Sequence, residues 1–180
     1  MKKQNEITAL VFNEISQLET VDFVDFYYPD IDTNISTAVA RIAFDDEEIL
    51  NVIFSLCSQT NIVFITITDG DSRQVAKIIS SIEYYVKYEN TLEMGDSLSL
   101  IDSDFLVKNN VYGAVLLKVS VIPFLPNFPY SMELSTGESI STMLVTFINK
   151  KEYMHIKQNG FTSLVDYFAD TNKDLYSLQQ

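Results

Sequence analysis

The chain has one histidine, His155, and one cysteine, Cys57, and this alone closes off most reactive chemistry. A structural or catalytic zinc site draws three or four ligands from His, Cys and carboxylates, and one His with one Cys falls short of the usual sets. His155 lies between Met154 and Ile156 with no serine or cysteine elbow to serve as its nucleophile, which gives weak support for a hydrolase. Cys57 sits in an apolar run and reads as a small buried hydrophobe. Two acidic groups remain. Asp69-Gly70-Asp71 lacks the further spaced ligands and distal Glu of a calcium loop, and reads as a turn leading to a helix cap at Asp71 or Ser72. Asp69 and Asp71 are also the carboxylates that a metal-dependent hydrolase would have to use. Asp45, Asp46, Glu47 and Glu48 precede the apolar run Ile49 to Leu56, which predicts the first turn of a helix, where backbone dipoles favour negative charge. Five unclustered glycines cannot build a phosphate-cradling loop. The sequence therefore predicts no catalysis, no cofactor and no held metal.

Charge narrows the partners. A net charge of -13 repels nucleic acid and anionic lipid, because phosphate must be neutralised by Lys and Arg, and it attracts basic proteins. Lys2 and Lys3 are followed by Glu6, Asn13 and Glu14, which interrupt a signal peptide's apolar core. No stretch approaches the roughly 20 apolar residues of a membrane span. A lone cysteine fits a reducing compartment, so a cytoplasmic protein is expected. With 47% hydrophobic residues in 180, and no repeat or linker, the expectation is a single domain over residues 1–180.

Periodicity places the elements. Ile7, Val11, Ile15 and Leu18 predict an opening helix from Asn5 to Glu19. Val21 to Tyr28 and Ser36 to Phe44 alternate as a hairpin-like pair of strands, with Ala38, Ala40, Ile42 and Phe44 on one face. Asn61 to Thr68 is a third strand. Val75, Ile78, Ile79, Ile82 and Val86 form the broadest helical stripe, from Ser72 to about Glu89. Ser97 to Ile101 reads as a short strand, Asp102 to Asn110 as a surface loop, and Val111 to Ile122 as a strand.

The last third organises the rest. Met143-Leu144-Val145-Thr146-Phe147-Ile148 is apolar on both faces and predicts a central strand within Ile140 to Ile148. Asn149 with Glu152 forms a capping box for a short helix, Gly160 stops it, and Phe161, Leu164, Val165 and Phe168 stripe a second helix. Before that strand, Pro123, Pro126 and Pro129 forbid regular pairing and hold Phe124, Phe128 and Tyr130 on a rigid loop. Those three rings, with the acidic run Asp45 to Glu48, are the candidate partner-binding residues.

Several stretches taken in order carry a likeness: Ile82-Glu83-Tyr84-Tyr85-Val86, Thr91-Leu92-Glu93-Met94-Gly95-Asp96-Ser97-Leu98, Ala114 to Val119, and Leu144 to Tyr153, then Gly160 and Leu164 at their spacing. As an ordered set over residues 72–168, this resembles the suppressor of fused-like domain in its small bacterial form. The resemblance implies an α/β (α+β) fold, a single mixed, mainly antiparallel sheet of six or seven strands flanked by four or five helices. It also implies protein binding without catalysis or cofactor. Eukaryotic members sequester a transcription factor, and many bacterial ones look like immunity proteins. The expected function is thus an immunity protein that neutralises a basic toxin domain by stoichiometric binding. A scaffold holding a peptide at a sheet edge and the Asp69/Asp71 hydrolase are the alternatives.

Overall fold

The computed structural model describes residues 2–45, 48–57, 60–89, 92–100, 103–176 and 178. Their elements run α1 (Lys2–Glu14), β1 (Leu18–Tyr28), β2 (Thr33–Asp45), β3 (Glu48–Ser55), β4 (Ile62–Thr68), α2 (Ser72–Glu89), β5 (Ser97–Ser99), α3 (Asp104–Lys108), β6 (Gly113–Leu117), β7 (Ser131–Glu133), β8 (Ser139–Ile148), α4 (Lys150–Asn159) and α5 (Phe161–Thr171). The eight strands, more than the six or seven expected, form one sheet in the order β1-β2-β3-β4-β8-β6-β5, with β7 paired to β8. Only the β4–β8 pair is parallel; the rest of the described ladder is antiparallel. The mixed, mainly antiparallel α+β fold is as the sequence predicts.

β8 is central because it is apolar on both faces. Ile140, Leu144 and Ile148 enter one core, with Ile7 and Val11 of α1, Ile156 of α4, and Leu164 and Phe168 of α5. Met143, Val145 and Phe147 enter the other, with Val75, Ala76, Ile79 and Ile82 of α2 and Leu106 of α3. Period-2 alternation thus feeds two helical layers from one strand.

The junction after β8 follows the predicted capping. The Asn149 side chain accepts from the Glu152 amide at 3.0 Å, and the Glu152 carboxylate accepts from the Asn149 amide at 2.9 Å. Gly160 has φ 84° as expected for a stop, but its ψ of 171° is extended, so the chain turns straight into α5. Only glycine holds that conformation without strain. Lys173, beyond α5, donates to both oxygens of Glu152 at 2.8 and 2.9 Å with both side chains nearly buried.

Four predicted elements are corrected. The opening helix expected to reach Glu19 ends at Glu14, and Leu18 already begins β1. Asp45 to Glu48 does not open a helix. Asp45 ends β2, Glu48 begins β3, and the two pair across a hairpin; Asp46 and Glu47 lie outside the described residues. Carboxylates suit a solvated turn as well as a helix start, and Ile49, Val52 and Ile53 are β-branched residues that prefer a pleated surface. Asp102 to Asn110 contains a short helix, α3, where Ser103 accepts from the Leu106 amide as its cap. The strand expected to reach Ile122 stops at Leu117, and a 3-10 turn over Val119–Val121 follows.

Cys57 is 4% exposed, and burial, followed by the nearby Glu83 carboxylate, pushes its thiol up to about 12. In the unfolded chain the thiol ionises near the ordinary value of 9.0, so unfolding releases a proton between pH 9 and 12. Stability contributed by the protonated thiol is therefore full below pH 9 and falls above it, at up to about 1.4 kcal/mol per pH unit. The difference between wild type and Cys57→Ala in urea melts should shrink steadily from pH 9 upward. A difference independent of pH would contradict this. At pH 8 a maleimide should label the native thiol no faster than the protein opens.

Candidate functional site

The groups with chemical potential are held by the fold. Asp71 caps α2, its Oδ1 accepting from the amides of Arg73 and Gln74 at 3.0 Å each. Asp69 accepts from the Leu178 amide at 3.1 Å and so ties down the C-terminal tail, whose Leu178 side chain is 1% exposed. Among the described residues no three His, Cys, Asp or Glu side chains converge as a metal set. His155 Nε2 lies 2.8 Å from Ser163 Oγ, with Asn159 Nδ2 3.5 Å from Nδ1, so a serine, a base and an amide do meet between α4 and α5. The sequence reading missed Ser163 because the pair forms only when two helices fold back at Gly160. His155, Asn159 and Ser163 are not among the residues that line the groove between α2 and the sheet edge at β5. The contact joins the two helices, with Tyr167 packed 5.3 Å from the imidazole.

The predicted contact residues separate. Phe128 is 7% exposed and part of the core beneath the loop, so the proline-rich segment folds its middle ring inward over the sheet. Phe124 is partly buried, 5.8 Å from the ring of Tyr176. Tyr130 is 48% exposed and is the ring this loop presents to solvent. The acidic hairpin Asp45/Glu48 joins β2 to β3, whereas this loop joins β6 to β7 on the far side of β4 in the sheet order.

An apolar groove opens elsewhere on the surface. A cavity of about 670 Å³ lies between α2 and the sheet edge at β5. Ile78, Ile82 and Tyr85 line one side, Leu98 and Leu100 the other, and Phe105 and Leu106 of α3 also line it. The predicted stripe of α2 is wider than the sheet beneath it, and its Ile78 is left half-buried at the groove. Val86 is likewise half-buried.

β5 is an edge strand, and its pairing leaves half of its backbone outward. Asp96 O accepts from the Leu116 amide at 3.0 Å and the Leu100 amide donates to Tyr112 O at 3.1 Å, so even-numbered residues face β6. In an antiparallel ladder the alternate residues turn away, which leaves Ser97 and Ser99 facing the open edge. Gly113 makes the pairing close: a Cβ there would stand 2.4 Å from Leu98 O. Unpaired strand backbone beside an apolar groove is the arrangement by which folded domains take up an extended peptide.

Comparison with solved structures decides the fold. A Neisseria gonorrhoeae protein described as a suppressor of fused (SUFU) homolog superposes with a TM-score of 0.72 at 10% identity, covering 99% of this chain and 94% of the other. The chain has the suppressor of fused-like fold. The SUFU fold also relates it to the Sufu–Fu complex, with a TM-score of 0.57 at 8% identity over 99% of this chain and 91% of that one. Drosophila Suppressor of Fused matches with the same TM-score at 10% identity, and here this chain spans 50% of the relative's length. The likeness in fold thus extends over the first half of the chain too, outside the residues 72–168 that carry the sequence resemblance. No family model matches the sequence, and no curated protein matches it. Among the described residues no helix is long and apolar enough to cross a membrane.

Proposed function

We propose that this protein is a non-catalytic, stoichiometric binder of another protein, and that it holds an extended segment of that partner as a strand added to β5. The observation that carries the reading is the apolar groove beside an edge strand whose Ser97 and Ser99 backbone groups face outward. A solved relative of the same fold is a complex with a protein, Fu, which supports binding as the shared activity. The net charge of -13 favours a basic partner, by steering encounter and weakening association as salt rises. The finer reading is immunity: a single cytoplasmic domain that neutralises a basic toxin domain encoded beside it. Tyr130, Phe124 and the acidic residues Asp45 to Glu48 are secondary contacts under this reading, and Phe128 supports the loop from within.

Ser99→Pro is the direct test. Proline removes one outward N–H and leaves the bonds of Leu98 and Leu100 to β6 in place, since edge strands accept proline where the amide faces solvent. Wild type co-expressed with the neighbouring toxin domain should restore growth, and Ser99→Pro should weaken binding by at least roughly tenfold, about 1.4 kcal/mol. Equal rescue by Ser99→Pro would refute the groove. Failure of the wild type to rescue would refute immunity.

A further inference from the structure

We propose that the opposite edge of the sheet, β1, is a second strand-addition site, and that it takes an extended basic segment of a protein. β1 is eleven residues long and ends the strand order, so among the described residues only β2 pairs with it. After an irregularity between Leu18 and Val21 it runs in continuous register from Val21 to Tyr28, about 27 Å of edge. A folded protein ordinarily blunts such an edge by shortening, bulging or covering it. Here the straight segment is left open.

The edge also carries contact groups that blunting alone does not require. Phe23 is 52% exposed and Tyr27 60% exposed, on the same face of the strand because four residues separate them. Tyr27 is fixed by donating to Asp32 Oδ1 at 2.8 Å, and between the two rings Asp25 accepts from Ser36 Oγ. Beside Phe23 a shallow notch opens between α1 and β1, lined by Ala9, Phe12 and Val21 among others. An apolar side chain from a partner fits there.

Charge selects the occupant. Residues 4–40 hold Glu6, Glu14, Glu19, Asp22, Asp25, Asp30 and Asp32 and no Lys or Arg. Arg41 on β2 lies beyond Val21's partner Ala40, level with the irregular start of the strand. A second copy of this chain pairing edge to edge would set these carboxylates against one another, and like charges opposite each other destabilise a ladder. A strand with alternating Lys or Arg and apolar residues pairs its backbone with β1, lays its apolar side chains beside Phe23 and the notch, and turns its cations to the opposite face with Asp22, while Asp25 on the Phe23 face adds to the local negative field.

The test uses a peptide of about ten residues that alternates lysine and valine, its copy with alternate amides N-methylated, and a glutamate version, at about 0.15 M ionic strength. The lysine peptide should bind and protect amides within Val21 to Tyr28 from hydrogen exchange. The N-methylated and glutamate peptides should not. Asp22→Lys with Asp25→Lys should weaken binding at least roughly tenfold. Asp166→Lys with Asp170→Lys, exposed on α5 and equal in net charge change, should weaken it less than about twofold. Phe23→Ala should cost several-fold while leaving the urea midpoint in place. Equal loss in the two charge variants, protection only at β5, or equal binding of the N-methylated peptide would overturn the proposal. A β1-mediated dimer would overturn the choice of occupant. Because none of these readouts involves Ser99, failure here leaves the β5 groove standing, and the reverse holds.

Discussion

Replacing Glu152 by alanine should destabilise the protein by about 3–5 kcal/mol. Glu152 is 4% exposed and one carboxylate satisfies two elements: it accepts from the Asn149 amide at the start of α4 and from Lys173 after α5. Truncation leaves the Asn149 amide without that cap, at about 1 kcal/mol. The larger part is the Lys173 ammonium, left in a site that already disfavours charge. Burial lowers Lys173 from its ordinary 10.5, and the Glu152 hydrogen bond is the main interaction opposing that shift. Adding Lys173→Met to Glu152→Ala should therefore recover the part of the loss that comes from the stranded ammonium, because an apolar side chain at 173 carries no charge to desolvate. Urea melts of both singles and the double would measure this. A double variant as weak as Glu152→Ala would show that the capping, not the ion pair, dominates.

The second large effect is in the central strand. Phe147 is 5% exposed, sits opposite Ala114 of β6 and packs into the core beneath α2. Phe147→Ala should cost roughly 3–5 kcal/mol, through lost transfer energy and the cavity left between sheet and helix. Ala114 is too small to fill that space. A loss under about 1 kcal/mol would mean that the site collapses freely and that β8 is not a rigid spine.

How much of this was legible depended on whether the cause was local. The β8 run, the Asn149/Glu152 box and the stop at Gly160 are each decided within a few residues, and they stand as read. The acidic run at Asp45 failed because four carboxylates before a short apolar run fit a helix start and a hairpin turn alike. Periodicity over eight residues does not separate the two, and the branched Ile49, Val52 and Ile53 were the better guide. The prolines correctly excluded regular pairing over residues 123–130 but gave no direction for the rings. Whether Phe128 points in or out depends on what lies under the loop, and that is set by β6, β7 and β8 together.

The groove was legible only as an excess. The α2 stripe carries more apolar residues than a helix on a narrow sheet end can bury, Ile78 and Val86 being left half-buried, and β5 was readable as a short strand between Ser97 and Ile101. What the sequence could not supply is their separation. The position of α2 follows from its contacts with β2, β3 and β4, while β5 is placed by pairing with β6, so the space between them is a product of two independent constraints. The Ser163–His155 contact is non-local in the same sense, since it depends on the fold-back of α4 and α5.

Hydrogen exchange on a complex with the proposed partner, a basic toxin domain, tests the central claim most directly. If the partner adds a strand to β5, the Ser97 and Ser99 amides, outward and unpaired in the free protein, should become protected on binding. Residues lining the groove from α2 should slow with them, and the change should vanish in Ser99→Pro. A stable complex in which Ser97 and Ser99 exchange as fast as in the free protein would contradict the account.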